Sequence, residues 1–288
     1  MELNLNKLTK QYGSKLAVDR VTLTLQPGLT ALLGANGSGK TTLLRMIVDI
    51  IKPTSGEIFY DGKNIMKLKE QYLCDIGYMP QHLGMYPNFK VEEFLYYMAT
   101  LKGLKKSYAK IQIDKLLHKV NLEEKRHHKI KTLSGGMYQR LGIAVCLLND
   151  PKIVILDEPT AGLDPKERMN FKNLISSISQ DKIVILSTHI VSDISEIADR
   201  IMIMKDGSII SYDRPEVLLK EMEGKVYALT VPNDNVVNYE KYTIVNRKVG
   251  REETYLHLLS DEKIEGATLL TPDLNDLYLY HFKDGEEF

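Results

Sequence analysis

The sequence predicts an α/β fold with a helical insertion in its middle and a small α+β appendage at its C-terminal end. Two apolar runs, both reading "KIVIL" at 152–156 and 182–186, are typical of strands in a parallel sheet that is covered on both faces. A glycine-rich loop joins the apolar stretch "LTALL" (29–33) to a helical stretch that begins near residue 40. Strands and helices therefore alternate along the first 215 residues, as in α/β proteins.

Short strand patterns flank the glycine-rich loop. The stretch "VTLTLQPG" (21–28) alternates polar and apolar residues, and "GEIFYDGKNI" (56–65) predicts a hairpin that turns at Asp61 and Gly62. The apolar period then becomes helical, so residues 90–122 predict two amphipathic helices whose apolar stripes we expect in the core. The stripes are Val91, Phe94, Leu95, Met98 and Leu101 in the first helix, and Ile113, Leu116, Leu117 and Val120 in the second.

The glycine-rich loop "GANGSGKT" (34–41) fits the pattern G-x-x-x-x-G-K-[ST], in which backbone N–H groups surround a phosphate. Lys40 can reach the β- and γ-phosphates, and the Thr41 hydroxyl can ligate Mg²⁺. The pattern predicts nucleotide binding over a plain glycine-rich turn, but it does not choose among kinases, GTPases and transport ATPases. The residues that we assign to nucleotide binding here are Gly34, Asn36, Gly37, Ser38, Gly39, Lys40, Thr41 and Thr42.

Two carboxylates follow the first "KIVIL" run, in "IVILDEPTAGLDP" (153–165). They lie at the C-terminal end of a predicted parallel strand, which is where α/β sheets bind ligands. Asp157 is expected to hold Mg²⁺, and Glu158 to orient or deprotonate an attacking water. A solvated loop is the alternative, but together with the phosphate loop this pair indicates hydrolysis of the nucleotide.

Composition narrows the classes of partner and compartment. The 38 basic residues balance the 38 acidic ones, so no overall field attracts nucleic acid, and no nucleic-acid partner is expected. Cys74 and Cys146 lack metal-ligand neighbours, and we expect both to be buried thiols in a reducing cytosol. The first residues lack a signal-peptide pattern, and no apolar run approaches the ~18 residues of a membrane span. Another chain is therefore expected to supply any spans.

Six short motifs occur in a fixed order: the phosphate loop, "MPQ" (79–81), "LSGGM" (133–137), "LDEP" (156–159), "GLD" (162–164) and "STH" (187–189). In this order the sequence resembles the ATP-binding cassette (ABC) family, the P-loop ATPase subunits of ABC transporters, over roughly residues 1–215. The stretches "GMYPNFKVEEFLYYMATLKGL" and "LSGGMYQRLGIA" are most similar to the separate-chain ATPases of ABC-2-type exporters. That group includes antibiotic-peptide export and self-protection systems.

The resemblance implies roles for residues within one chain. Tyr12 matches the aromatic that stacks on adenine, with packing on the core as the alternative. Gln81 matches the glutamine that reaches Mg²⁺ and the attacking water, and His189 matches the histidine that contacts the γ-phosphate. The expected catalytic residues are thus Glu158, His189 and Gln81, and the expected metal ligands are Thr41, Gln81 and Asp157.

The resemblance also implies a second ATPase chain, identical or related. Ser134, Gly135 and Gly136 open a helix and match the motif that closes over ATP held by the other chain, although a plain helix cap is the alternative. Asp164 matches a loop that crosses to the opposite subunit. Two departures from the family pattern, Met137 and Ala35, remove no group assigned to phosphate or metal contact.

The predicted organisation is an ABC ATPase domain at residues 1–217, with a helical subdomain at about 82–150, followed by an accessory α+β domain at 218–288. The stretches "GKVYALTV", "KYTIVNRK" and "ETYLHLL" predict strands in the accessory domain. "TPDLNDLYLYHF" (271–282) predicts a helix that starts at a Thr-Pro cap. No role for this domain follows from its sequence.

The expected function is that of an ATPase that dimerises around two MgATP on the cytoplasmic face of a membrane and drives a separate permease. Export of a peptide or antibiotic-like cargo is expected from the subgroup. Tyr86, Pro87 and Phe89 are the expected permease contacts, and their packing beneath the inserted helices is the alternative. The alternative functions are a soluble ABC protein that acts on ribosomes or DNA, and a nucleotide-gated scaffold. The single set of motifs and the short separation of Lys40 from Ser134 disfavour the soluble ABC protein. The presence of Glu158 and His189 disfavours the scaffold.

Overall fold

A computed structural model describes residues 1–239 and 241–282 of the chain, so residue 240 and residues 283–288 of the predicted accessory domain lie outside the described residues. The chain forms two units, Met1–Tyr212 and Asp213–Phe288. The strands that begin in the first unit are β1 Leu3–Tyr12, β2 Lys15–Leu25, β3 Gly28–Leu33, β4 Ser55–Tyr60, β5 Lys63–Asn64, β6 Ile76–Met79, β7 Ile153–Asp157, β8 Ile183–Thr188, β9 Arg200–Lys205 and β10 Ser208–Asp213. Its helices are α1 Lys40–Ile47, α2 Ile65–Leu68, α3 Glu70–Cys74, α4 Val91–Leu101, α5 Lys106–Lys119, α6 Gly135–Cys146 and α7 Pro165–Ser179, with 3₁₀ turns at Glu123–Lys125, Ile130–Thr132 and Val191–Asp193.

The two "KIVIL" runs form β7 and β8, which are neighbours in a six-stranded sheet of order β10-β9-β3-β8-β7-β6. All residues of both strands are buried, as expected for a parallel sheet covered on both faces. Strands β3, β6, β7, β8 and β9 pair in parallel, with Leu33 opposite Thr188 and Asp157 opposite Ser187. The loops that follow β3, β7 and β8 therefore leave the same edge of the sheet.

A second, antiparallel sheet has the order β2-β1-β4-β5. The predicted hairpin is confirmed: β4 pairs with β5, and both turn residues have positive φ, 47° at Asp61 and 74° at Gly62, as a two-residue hairpin turn requires. Apolar residues of both sheets and of α1 form one core cluster, which contains Leu5, Leu44 and Ile155.

Helix α1 is shorter than its apolar pattern "TTLLRMIVDII" indicates. It ends at Ile47, and Asp49 takes a left-handed conformation with φ 59°. The N–H of Ile50 donates to the carbonyl of Arg45, five residues back, which is the hydrogen bond of a Schellman C-cap. The following apolar residues therefore lie outside the helix, and Ile50 is exposed.

Two expectations about burial are partly wrong. Both amphipathic helices form, as α4 and α5, but Leu101, the last residue of α4, is 65% exposed. Cys146 is buried, whereas Cys74 is exposed at the end of the five-residue helix α3. Burial raises the pKa of the Cys146 thiol to about 12.

The second unit contains a four-stranded antiparallel sheet of order β12-β13-β11-β14. Its elements are α8 Pro215–Lys220, β11 Val226–Pro232, a 3₁₀ turn at Asn233–Tyr239, β12 Thr243–Val249, β13 Glu253–Leu259, β14 Thr268–Leu269 and α9 Leu274–His281. The three predicted strands are present, but α9 starts later than its Thr-Pro signal indicates. The Asp273 carboxylate accepts from the N–H groups of Asn275 and Asp276 and so caps the helix in place of Thr271. Among the described residues of either unit, no helix is long and apolar enough to cross a membrane.

Candidate functional site

The glycines of the 34–41 loop serve different geometric needs between β3 and α1. Gly37 and Gly39 have φ of 81° and 107°, which L side chains rarely adopt. A Cβ on Gly39 would also lie 2.3 Å from the carbonyl oxygen of Ala17. At Gly34 the constraint is close approach alone, since a Cβ there would lie 2.5 Å from the carbonyl oxygen of Met204. The loop is therefore held against neighbouring backbone and keeps its own backbone accessible near Gly37.

Lys40, the first residue of α1, lies inside this loop and is only 6% exposed. Its Nζ donates to the carbonyl oxygens of Gly34 at 2.7 Å and Ala35 at 3.0 Å. It also lies 3.9 Å from Oε1 of Glu158. A buried ammonium at a helix N-terminus adds to the positive potential there, because the positive end of the helix dipole and the unpaired N–H groups lie at the same end. The loop thus has the charge that a phosphate group requires.

Asp157 ends β7 and is 1% exposed. Its Oδ1 accepts from the hydroxyls of Ser187 at 2.6 Å and Thr41 at 3.2 Å. Its Oδ2 is buried and has no hydrogen-bond partner. A buried carboxylate oxygen without a donor is costly, so this position suits a cation or a water bound to one.

Glu158 follows directly in a left-handed backbone conformation with φ 49°, which is strained for a residue with a side chain. Its N–H donates to both the hydroxyl and the carbonyl oxygen of Ser187, so the next strand fixes its backbone. Its Oε2 lies 3.0 Å from Nδ1 of His189, which follows β8. The structure therefore brings Lys40, Asp157, Glu158 and His189 to one edge of the parallel sheet.

A cleft of about 400 Å³ opens beside these residues. It is lined by Tyr12, Lys15, Ala17, Asn36, Gly37, Gly39, Lys40, Thr41, Thr42, Gln81 and Glu158. Tyr12 is half exposed, which leaves its ring accessible, and Gln81 enters from the loop after β6. Gly34, Ser38 and Asp157 lie behind this surface, and the Ser38 hydroxyl is buried without a partner.

Sequence reasoning missed three residues of this region. Lys15 and Ala17 line the cleft from the start of β2, directly after the Tyr12 turn, and Ser187 joins Asp157 to the Glu158 backbone. The "STH" motif contains Ser187, so its position beside His189 was a usable signal. No signal in the strand alternation marks Lys15 or Ala17, because alternation does not reveal which loop a strand approaches.

The remaining predicted residues, Ser134, Gly135, Gly136 and Asp164, are not among those that line the cleft. Ser134 caps α6 by accepting from the N–H of Met137 at 3.3 Å, and Asp164 caps α7 by accepting from the N–H of Glu167 at 2.9 Å. Ser134, Gly135 and Asp164 are exposed, whereas Gly136 is buried against Glu167. Within one chain Ser134 and Asp164 cap helices, and Ser134, Gly135 and Asp164 remain exposed.

Comparisons with known proteins show what this chain is similar to. The ABC transporter family model matches residues 18–161. The bacitracin transport ATP-binding protein BcrA of Bacillus licheniformis is 37% identical over 240 residues, which cover 82% of this chain and 77% of that protein. The Nod factor export ATP-binding protein I of Paraburkholderia xenovorans (strain LB400) is 30% identical over 280 residues, which cover 96% of this chain and 92% of that protein. A dimeric structure of an ATP-binding cassette in a post-hydrolysis state with ADP and Pi matches with a TM-score of 0.65 and 27% identity, covering 74% of this chain and 98% of that one.

Proposed function

The chain belongs to the ABC transporter family, and we propose that it is the ATPase subunit of an exporter whose permease is a separate membrane chain. It is a dimerising ATP-binding subunit of a transporter, and it couples ATP hydrolysis to transport. The export direction, the cargo and the roles of individual residues are the parts that we propose. The observation that carries the proposed chemistry is the Glu158 carboxylate, which lies 3.0 Å from His189 and 3.9 Å from Lys40.

In the proposed reaction Glu158 orients the attacking water and accepts its proton, because it is the carboxylate that faces the cleft. His189 contacts the γ-phosphate and holds the Glu158 side chain from the other side. Lys40 balances the phosphate charge, and the backbone near Gly37 donates N–H groups to phosphate oxygens. Tyr12, which lines the cleft and is half exposed, stacks on the adenine. Glu158 and His189 are thus the proposed catalytic pair, and Gln81, which also lines the cleft, is proposed to reach the attacking water.

Magnesium fits the residues present. The unpartnered Oδ2 of Asp157 and the neighbouring Thr41 hydroxyl offer hard oxygen donors, and we propose that they hold Mg²⁺ together with Gln81. Among residues 1–239 and 241–282 no group of three or more His, Cys, Asp or Glu side chains could hold a metal ion. Mg²⁺ is commonly held by one or two carboxylates together with substrate phosphates, so such a group is not required. When bound, the ion supplies charge neutralisation at the transferred phosphoryl group.

The second chain is proposed to complete each nucleotide site. Ser134 and Gly135 are exposed at the N-terminus of α6 and lie outside the cleft of their own chain, so they can meet a nucleotide only on a partner. Gly136 lies behind them, and Asp164 is exposed at the start of α7. The dimeric cassette with ADP and Pi supports this arrangement by likeness. The partner is an identical or related chain.

The proposed permease contact is a cluster of four aromatic rings after Gln81, formed by Tyr86, Phe89, Phe94 and Tyr97. Tyr86 is 49% exposed and its ring centroid lies 5.2 Å from that of Phe89. Phe94 of α4 is buried beneath them. The cluster is therefore both anchored and accessible, which aromatic docking surfaces require. Pro87 accepts from the N–H of Lys131, so the segment is also tied to the loop before α6.

The export direction is proposed from the relative named for Nod factor export, and a peptide or antibiotic-like cargo from the relative named for bacitracin transport. The chain would then lie at the cytoplasmic face of the membrane, bound to its permease. The test is purification of the tagged chain from native membranes, identification of the chains that accompany it and measurement of Mg²⁺-dependent phosphate release. A membrane protein with several spans supports the proposal. Co-purification of ribosomes or DNA, with no membrane chain, would favour a soluble ABC ATPase instead.

A further inference from the structure

A buried carboxylate lies four residues after His189, outside the cleft. Asp193 ends the 3₁₀ turn Val191–Asp193 and is 3% exposed. Its Oδ2 accepts a short hydrogen bond from the hydroxyl of Thr160, which is 1% exposed. Its Oδ1 lies 3.5 Å from a guanidinium nitrogen of Arg168 in α7. A carboxylate so deeply buried is stable only with such partners, so its position and theirs are fixed together.

Both partners of Asp193 belong to the segment that follows Glu158. Thr160 stands at the start of the 159–164 loop, which connects Glu158 to α7. Arg168 also donates from Nε to the carbonyl oxygen of Leu163 at 3.1 Å, so its guanidinium bonds the end of the same loop. Within the loop, the N–H of Leu163 donates to the carbonyl oxygen of Thr160. Asp193 therefore binds the loop at both ends, directly through Thr160 and indirectly through Arg168.

We propose that Asp193 is a positioning residue that fixes the 159–164 loop against the segment after β8 and thereby sets the contact of Glu158 with His189. Glu158 lies two residues before Thr160, and His189 lies four residues before Asp193. The Thr160–Asp193 bond thus joins the same two segments as the Glu158–His189 contact. A strained backbone such as that of Glu158 persists only where its surroundings hold it, and this second connection adds to the two hydrogen bonds from the Glu158 N–H to Ser187. The inference rests on the proposed function, since the Glu158–His189 contact matters only if these residues act in hydrolysis.

The test compares Asp193→Asn and Thr160→Val with the wild type. Both changes keep side-chain shape and remove one charge or one hydroxyl. We expect kcat for ATP hydrolysis to fall roughly tenfold in each, the rate equivalent of a lost hydrogen bond to a charged group. Nucleotide affinity should remain unchanged, because neither residue lines the cleft. Thr160→Ser keeps the hydroxyl and should have the kcat of the wild type. The kcat of the double variant Asp193→Asn/Thr160→Val should be no lower than that of the less active single variant.

A matched control is offered by Glu196, whose carboxylate lies 3.4 Å from Nζ of Lys172. This pair also joins α7 to the segment after β8, but Glu196 is exposed and does not bond the 159–164 loop. Glu196→Gln should therefore leave kcat at the wild-type value, since surface pairs contribute little.

Three outcomes would overturn the inference. The first is that kcat is unchanged in folded Asp193→Asn and Thr160→Val. The second is that nucleotide affinity and the midpoint of thermal unfolding fall together with kcat, because a purely structural role predicts that pattern. The third is that Glu196→Gln lowers kcat equally. If Asp193→Asn does not fold, the comparison of kcat between Thr160→Val and Thr160→Ser tests the inference by itself. A wild-type chain that binds ATP but releases no phosphate would overturn the proposed function itself, and this inference with it.

Discussion

Glu158 has a strained backbone, and its carboxylate lies between Lys40 and His189. A substitution at this single residue can therefore distinguish nucleotide binding from hydrolysis. Glu158→Gln keeps the size and the hydrogen-bonding capacity of the side chain but loses the base. We expect phosphate release to fall on the order of 10²–10³-fold, while nucleotide binding persists. Measurements of phosphate release and of nucleotide affinity on the same preparation check both parts.

Asp150 provides the control for this change. Its carboxylate lies 2.7 Å from Nζ of Lys182, before β7 and β8 and thus at the opposite end of these strands from Glu158. Asp150→Asn should leave phosphate release unchanged. Near-normal turnover in Glu158→Gln would remove the role proposed for Glu158.

Alanine substitutions at two glycines of the phosphate loop distinguish a steric clash from backbone strain. A Cβ at Gly37 would meet no atom within 4 Å, whereas one at Gly39 would lie 2.3 Å from the carbonyl oxygen of Ala17. Both residues have positive φ, so an alanine side chain costs about 1–2 kcal/mol of backbone strain at either position. We therefore expect Gly39→Ala to abolish ATP binding by displacing the loop, and Gly37→Ala to weaken it only modestly. Calorimetric titration with ATP measures the difference, and equal affinities in the two variants would contradict the close-approach explanation.

At the scale of elements, the aromatic cluster of Tyr86, Phe89, Phe94 and Tyr97 determines how the helical insertion meets a partner. Phe89 is half-buried against Phe94 and Tyr97. Phe89→Asp should therefore cost some stability but leave ATP affinity unchanged, because the cluster lies outside the cleft. We expect it to weaken association with the permease and to remove permease stimulation of hydrolysis. Pull-down of the permease and the ATPase rate of the complex are the measurements.

Tyr108 of α5 is a suitable control, since it is an exposed aromatic that belongs to none of the ring contacts of the cluster. Tyr108→Asp should leave permease association intact. An unfolded Phe89→Asp chain would favour the alternative that these rings only pack beneath the inserted helices. A folded variant that still couples normally would show that the proposed contact is wrong.

The sequence predicts well those strands and helices whose apolar pattern shows directly which residues are buried. The runs at 152–156 and 182–186 indicate buried parallel strands, and Asp157, Glu158 and His189 are predicted at strand ends because they follow these runs closely. What the sequence could not predict depends on contacts between distant segments. Ala17 approaches Gly39, and Asp193 binds Thr160, through the arrangement of strands that no local pattern records. The burial predicted for Cys74 rested on residue type alone, and the structure exposes this thiol at the end of α3.

At the scale of the whole molecule, the proposed dimer predicts which defects complement each other. Ser134 lies outside the cleft of its own chain, whereas Lys40 and Glu158 lie 3.9 Å apart within one cleft. A mixture of Ser134→Arg and Lys40→Ala chains should therefore form mixed dimers with one complete site. If sites act independently and chains exchange freely, an equal mixture should reach about one quarter of the wild-type rate, because half of its dimers are mixed.

Lys40→Ala mixed with Glu158→Gln is the matched control for this complementation. Both of these defects affect a site through the chain that holds its nucleotide, so neither site of their mixed dimer is complete and no activity should return. The wild-type rate per chain should also fall on dilution, as the dimer dissociates. Phosphate release measured across mixing ratios and protein concentrations tests all three expectations. Equal rescue by both mixtures, or a rate per chain that stays constant down to dilutions where only monomer is detected, would contradict shared nucleotide sites.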